Sequence, residues 1–206
     1  QTTGLAGVEA AFERGDYDAA AIALRKAFEE QEPSGELYLW RARISLAQHR
    51  EDDAARDLGS AVAASPDLLE ARLRLAHLLT KGGLWQDAVK QYEAALALAP
   101  DNTEGLLGLA RVYRDNGHRR KAIELLEGAR QTKPQDATIL VALADLYAAG
   151  SDAQLAEPLY LQAVGLSSTE ASASILERLG DLYVKLRRHR DALKCYVQAA
   201  ELNPSR

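Results

Sequence analysis

Four histidines, one cysteine and two short basic runs are the side chains whose types could carry chemistry in this sequence. A metal centre needs three or four ligands converging on one point, and a nucleophile needs a base within hydrogen-bond reach. His49, His118 and His189 fall where helices should turn back on themselves, with steps of 69 and 71 residues between them. If each step spans two packed helix pairs, the turns stand on the order of 20 Å apart, because packed helices are spaced by roughly 8 to 10 Å. They cannot share a metal, and solvated turn histidines are expected. His77 lies inside a candidate helix. Cys195 is the single cysteine, so neither an internal disulfide nor a thiolate cluster can form, and it reads as a small packing residue of the last helix. HExxH, GxGxxG, CxxC, GxSxG and a GxxxxGK phosphate loop are all absent. The expectation is a protein without catalysis, metal or cofactor.

The basic runs are "HRRK" (118–121) and "RRHR" (187–190). Both sit at the turn inside a helix pair, hence on one edge. Such an edge is either simply solvated or drawn to an acidic protein, a lipid head group or RNA. No aromatic side chains interleave with the basic ones and the chain carries a net charge of -5, so no nucleic acid is expected, and membrane contact only through this edge. The acidity is uneven: residues 1–102 hold 17 acidic against 11 basic side chains, the remainder 13 against 14.

Composition narrows the class of protein. With 47% hydrophobic and 27% charged residues the chain is too apolar for disorder, and it has no uninterrupted apolar run near the length of a membrane span. A soluble folded protein is expected. It begins at Gln1 and has no Met, which suggests a processed protein or an excised fragment. The richness in Ala, Leu, Arg and Asp looks bacterial, with cytoplasm and periplasm both open.

The elements that must position these residues repeat. Pro66, Pro100 and Pro134 are 34 residues apart, and Pro204 joins the frame after two extra residues near 167–172. In that frame Ala20, Ala54, Ala88, Ala122, Ala156 and Ala192 share one place, and Ala27, Ala61, Ala95, Ala129, Ala163 and Ala199 share another. Residues seven apart lie on nearly the same helix face, so each alanine pair makes a shallow strip against which another helix can come close. Leu75, Leu109, Leu143 and Leu179 recur, each followed by Ala or Gly, and tyrosines recur at 113, 147, 183 and at 92, 160, 196. "DLLE" (67–70), "DNTE" (101–104) and "SILE" (174–177) read as capping boxes. "KGG" (81–83) and "DNG" (115–117) read as turns.

On these residues the chain resembles the tetratricopeptide repeat (TPR) family, whose unit is a pair of antiparallel helices with a leucine-small pair, an aromatic, two alanines and a closing proline. The resemblance covers residues 1–206 as one array of six units, 1–34, 35–68, 69–102, 103–136, 137–172 and 173–206. It implies an all-α fold, a right-handed α-solenoid or superhelix of helix pairs. Departures from the pattern carry their own expectations. Gly4, Gly7 and Val8 weaken the first helix, which should be frayed or truncated. "SSTEASAS" (167–174) should make a wider joint between units five and six, and Pro158 requires its helix to start near Gln154 or Leu155. No polar capping helix follows the last unit before Arg206, so either the natural protein continues or this end meets a partner.

The resemblance further implies an inner, concave surface that usually grips a peptide, faced by places two, five, nine, twelve and thirteen of each unit. Place five reads Leu39, Leu73, Leu107 and Val141; place nine reads Arg43, His77, Arg111 and Asp145, and Lys81 and Arg114 extend a cationic border. Two readings stay open for the aliphatic row, contact with a ligand or burial between neighbouring first helices. Glu36, Glu70 and Glu104 at place two fit the positive helix start better than a ligand. The residues that clamp chaperone carboxylates, and an asparagine ladder, are both missing: Trp40, Arg74 and Gly108 occupy the ladder positions. The function expected is a noncatalytic adaptor or scaffold that binds a partner's peptide segment bearing apolar and acidic side chains. The alternatives are self-association through the last helix or the basic edge, or the binding part of a larger enzyme.

Overall fold

The computed structural model describes residues 5–203. Among them every regular element is helical, and the chain divides into two compact units, residues 1–108 and 109–206. Unit 1 holds α1 (Leu5–Glu13), α2 (Tyr17–Glu30), α3 (Gly35–Ala47), α4 (Glu51–Ala64), α5 (Leu69–Lys81), α6 (Trp85–Leu98) and the start of α7 (Thr103–Asp115). Unit 2 holds the rest of α7, α8 (Arg119–Thr132), α9 (Ala137–Ala148), a 3-10 turn (Ala153–Leu155), α10 (Ala156–Leu166), α11 (Thr169–Lys185) and α12 (His189–Leu202). In unit 1 consecutive helices pack as α1 on α2, α3 on α4 and α5 on α6; in unit 2, α9 packs on α10 and α11 on α12.

The alanine strips explain this packing. All twelve repeat alanines are at most 6% exposed. A larger side chain at any of them would hold two helices apart, and overpacking of this kind costs about 1–3 kcal/mol. Glycines and tyrosines of adjacent helices meet closely as well, Gly180 of α11 against Tyr196 of α12 and Gly108 of α7 against Tyr92 of α6. A Cβ added to Gly108 would stand 2.4 Å from the Tyr92 ring, so the small residue and the tyrosine are two halves of one contact.

The turns within pairs share one device. Gly15, Gly83 and Gly117 have positive φ, and His49 and Arg187 take the same conformation with φ of 59°. In each case the next residue donates its backbone N–H five residues back, as Leu84 does to Leu79 and Arg188 to Tyr183, both at 2.8 Å. This closes the helix end. The pair α9–α10 differs: its turn has no positive φ, and the C-terminal carbonyls of α9 are capped by side chains instead. Lys185 donates to the Ala148 and Gly150 carbonyls, and Arg119 donates to the Ala149 carbonyl at 3.4 Å.

Several sequence expectations change. The capping boxes do not hold. α5 begins at Leu69 after Leu68 with no side-chain cap, and Ser174 lies inside α11. At α7 it is Asn102, one residue beyond Asp101, whose Oδ1 accepts from the Gly105 N–H at 2.8 Å. Asp16, Ser34 and Asp136 cap α2, α3 and α9. The extra residues near 167–174 do not widen a joint. They lengthen α11 to 17 residues against 13 in α3 and α5, and Ser172 Oγ donates to the Val164 and Ser167 carbonyls to fasten the added turn. α1 is short but helical from Leu5, with Val8 fully buried; Gly4 lies outside the described residues, as do Gln1, Pro204 and Arg206. Pro158 sits in the first turn of α10, where no intrahelical N–H is lost.

Candidate functional site

In unit 1 the first helices of three successive pairs, α1, α3 and α5, line a cleft of about 510 Å³. Its apolar wall is Phe12, Trp40 and Leu46; its charged wall is Glu9, Glu13, Arg43 and Arg74. Phe12 meets Trp40 edge-on, with ring centroids 5.7 Å apart, and the Arg43 guanidinium lies 4.6 Å over the Trp40 ring. Arg43 also reaches from α3 to α5, where its Nε donates to Glu70 Oε1 at 2.8 Å and a terminal nitrogen to Oε2. Arg74 Nε donates to the same Oε1 at 2.7 Å. Burial by itself would raise the Glu70 carboxyl, but the hydrogen bonds from Arg43 and Arg74 outweigh it and hold the group below its ordinary value. Two guanidiniums thus share one carboxylate, and with Glu9 and Glu13 facing the same cleft the charged wall carries both signs beside two aromatic rings. That arrangement can seat an apolar side chain and orient an acidic one.

The residues expected from the sequence are placed unevenly. Arg43 lines the cleft. Leu39 and Leu73 do not: they are 7% and 5% exposed, Leu39 within a core cluster with Ala42 and Leu58, and Leu73 close against the backbone of Gly105. Of the two readings left open for the aliphatic row, packing between neighbours fits these two. Leu107 is half-buried and His77 exposed. Lys81 pairs with Glu51 at 2.5 Å, so the cationic border is partly neutralised there. Glu70 answers to two arginines rather than to a helix start.

In unit 2, Val141 is half-buried and Arg111 exposed, and Arg114 pairs with Asp115 at 2.8 Å. Asp145 accepts from the Tyr160 hydroxyl at 2.6 Å and pairs with Arg178. The same motif recurs where Tyr196 donates to Asp181 at 2.7 Å, so both aspartates at place nine anchor a packed tyrosine. The basic edge is also engaged: Arg119 caps α9, Arg120 pairs with Glu124, Lys121 lies over Tyr113, and Arg188 pairs with Glu157 and Asp191 while stacking 4.3 Å over Tyr183.

Phe12, Trp40, Leu46 and Arg74 were missed by sequence reasoning. Leu46 occupies place twelve and was within reach of the resemblance. In the sequence Trp40 reads as a missing ladder asparagine and Arg74 as a missing ladder and clamp residue, and Phe12 is hidden by the weak glycines of its helix.

Paired helices, small-residue strips and a side-chain-lined face of first helices define an interaction solenoid. Three family models described as tetratricopeptide repeat match the chain, one over residues 5–68 and 46–103, one over 79–146 and one over 173–206. The chain belongs to the tetratricopeptide repeat family, an all-α solenoid fold. Among solved structures it is similar to PilF of Pseudomonas aeruginosa, with a TM-score of 0.77, 18% identity, and coverage of 99% of this chain and 92% of that one. It is also similar to MamA of Desulfovibrio magneticus RS-1, with a TM-score of 0.72, 21% identity, and coverage of 84% and 96%. YrrB, described as a TPR protein with an unusual peptide-binding site, aligns with a TM-score of 0.68, 16% identity, and coverage of 89% and 93%. No curated protein matches the chain. TPR proteins bind protein partners, and the family is in general noncatalytic. Among the described residues no group of His, Cys, Asp and Glu could hold a metal ion, and no helix is long and apolar enough to cross a membrane.

Proposed function

We propose that this chain is a noncatalytic adaptor or assembly scaffold that holds a short segment of a partner protein against the first helices of unit 1. The observation that carries the proposal is the cleft itself, in which Phe12 and Trp40 stand beside the Arg43–Glu70–Arg74 cluster. An apolar side chain of the partner would sit on Trp40 and Leu46, and an acidic one would meet the donors that Arg43 and Arg74 leave free of Glu70. Leu107, and in unit 2 Val141, Arg111 and Arg114, remain candidates for further contacts. A buried side chain of Leu size contributes roughly 1.5–3 kcal/mol and an exposed ion pair about 0–1, so the rings should set affinity and the arginines orientation.

The test is affinity capture with residues 1–206, unaltered or carrying Phe12→Ala with Trp40→Ala. Partners held by the unaltered chain should be lost from the variant, with its helical circular dichroism retained. Capture that survives both changes would rule the cleft out.

A second reading is favoured by one observation. α12 turns Leu193 and Val197, 64% and 48% exposed and one turn apart, into solvent. Self-association through that face would appear as a concentration-dependent mass in light scattering.

A further inference from the structure

The other side of α3 from the peptide cleft carries a second concavity, of about 590 Å³, between α2 and α4. Its floor is apolar, with Leu24, Phe28 and Ile44, while Arg25, Arg41, Arg50 and Arg56 stand around it with only Asp53 and Asp57 among them. The rim therefore holds two positive charges in excess. Arg50 and Arg56 share Asp53, and Arg25 is exposed on α2.

Arg41 is the residue that asks for an explanation. It occupies the place at which later units have Leu75, Leu109, Leu143 and Leu179, each of them buried. Its partner Asp57 is equally out of pattern, since Gln91, Leu125, Leu159 and Cys195 take that place elsewhere. Asp57 is 11% exposed and accepts from Arg41 Nε at 2.9 Å and from a terminal nitrogen at 2.5 Å. The guanidinium is also flanked by the rings of Phe28 and Tyr38 at 4.9 and 5.1 Å, yet the Arg41 side chain stays 46% exposed. Replacing the pair by apolar side chains, as the later units do at the Arg41 place, would remove the cost of burying the Asp57 carboxylate. Stability of the array therefore does not call for this pair. What the pair does provide is a guanidinium fixed by Asp57 and by two rings, with its outer face open to the cleft. A rigid, weakly hydrated fork of this kind suits a carboxylate.

We propose that this cleft is a second binding site, for an acidic segment of a partner protein in which a Glu or Asp lies next to an aliphatic side chain. The carboxylates would engage Arg25, Arg41 and Arg56, and the aliphatic group would cover Leu24 and Phe28. Arg50 and Arg56 are six residues apart along one helix, roughly 9 Å at the rise of an α-helix, so the positive rim suits an extended chain better than a single small anion. A polyanion such as nucleic acid would leave the apolar floor of Leu24, Phe28 and Ile44 uncovered.

The test uses a fluorescein-labelled peptide of alternating Glu and Leu, flanked by Gly-Ser, and the same peptide with Lys in place of Glu, titrated with the 206-residue chain. Saturable anisotropy is expected with the acidic peptide alone. Arg25→Glu with Arg56→Glu should weaken it by about tenfold or more, the scale of one lost charge-assisted contact. Arg41→Leu with Asp57→Leu, which restores the pattern of the later units, should also weaken it by about tenfold while the melting temperature stays equal or rises. Arg74→Ala, which alters the peptide cleft from α5, should leave it unchanged, which separates this site from the cleft across α3. No saturable signal, equal binding of the Lys peptide, unchanged affinity in both double variants, or loss in Arg74→Ala would each overturn the proposal.

Discussion

The two units solve the same packing problem with different polar chemistry. In unit 1 arginines carry cross-helix contacts to carboxylates, Arg41 to Asp57 and Arg43 to Glu70. In unit 2 tyrosine hydroxyls join arginines in that role: Tyr147 donates to Glu127, Tyr160 to Asp145, Tyr183 to Glu157 and Tyr196 to Asp181, while Arg178 reaches Asp145 and Arg188 reaches Glu157. A tyrosine brings its ring into the helix contact and ends in one short hydrogen bond, so its single donor is used up. A guanidinium has five donors and a stacking face, and after one ion pair it still has both to offer. The clefts of unit 1 are lined by such half-used arginines beside aromatic rings, whereas the corresponding aspartates of unit 2 are tied to packed tyrosines. The lesson is that one repeat frame can be tuned toward binding or toward closure by the residue that carries the cross-helix polar contact.

The largest test of this contrast falls on Leu73. Were it a ligand contact, Leu73→Glu would leave the fold intact and remove binding. Because it is packed against α7, the variant buries an uncompensated charge, and a loss of about 3–5 kcal/mol in urea unfolding is expected. An unfolding midpoint equal to that of the unaltered chain would return Leu73 to the binding surface. Next in size is Tyr160→Phe, which removes the 2.6 Å bond to Asp145 and leaves a partly buried carboxylate to Arg178 alone. A cost of about 1–2 kcal/mol is expected, seen as faster amide exchange in α9 and α10 with little change in α1 to α4.

pH should separate the units. Burial and the bond to Glu157 push the Tyr183 phenol up to about 12, and the bond to Asp181 followed by burial does the same for Tyr196. A phenol whose folded value is raised contributes stability that is whole below its ordinary value and disappears as pH climbs through the folded one. Unit 2 should therefore loosen between about pH 10 and 12, as amide exchange at α10 and α12 would report. Glu70 acts in the opposite sense. Its lowered carboxyl contributes stability that is present above the ordinary carboxylate value and is lost as pH falls through the folded one, so the α3–α5 contact should open below about pH 4. Glu70→Gln should flatten the acid response of α3 and α5 and leave the alkaline response of unit 2 in place.

How much of this was legible depended on whether a residue acts within its own repeat. The alanine strips, the leucine-small pairs and the turn glycines recur at fixed intervals, and each follows from backbone geometry alone. The α11 extension was hidden because polar residues such as those of "SSTEASAS" serve equally as loop and as the exposed first turn of a helix. The caps were misplaced by one residue or more, since Asp and Asn at adjacent positions both qualify and only the exit angle of the chain decides. The clefts were the least legible. Arg43 and Glu70 are 27 residues apart, and nothing in a 34-residue frame says that an arginine at place nine will meet a glutamate at place two of the next unit. Arg41 was available as a break in the leucine column, but a break shows only that something differs.

The smallest expected effect bears on what the units share. The residue closing the turn within a pair is glycine at 15, 83 and 117, but His49 in unit 1 and Arg187 in unit 2 adopt the same left-handed conformation with a Cβ present. That conformation costs a non-glycine residue about 1–2 kcal/mol, while glycine adds unfolded-state entropy that takes back part of the gain. His49→Gly and Arg187→Gly should each stabilise by about 0.5–1 kcal/mol, measured by denaturant unfolding. Equal gains would place the strain in the backbone turn, common to both units. A gain at His49 with a loss at Arg187 would mean that the Arg187 side chain contributes to the basic edge in a way its exposure does not reveal, and would move the contrast between the units from their helix contacts to their turns.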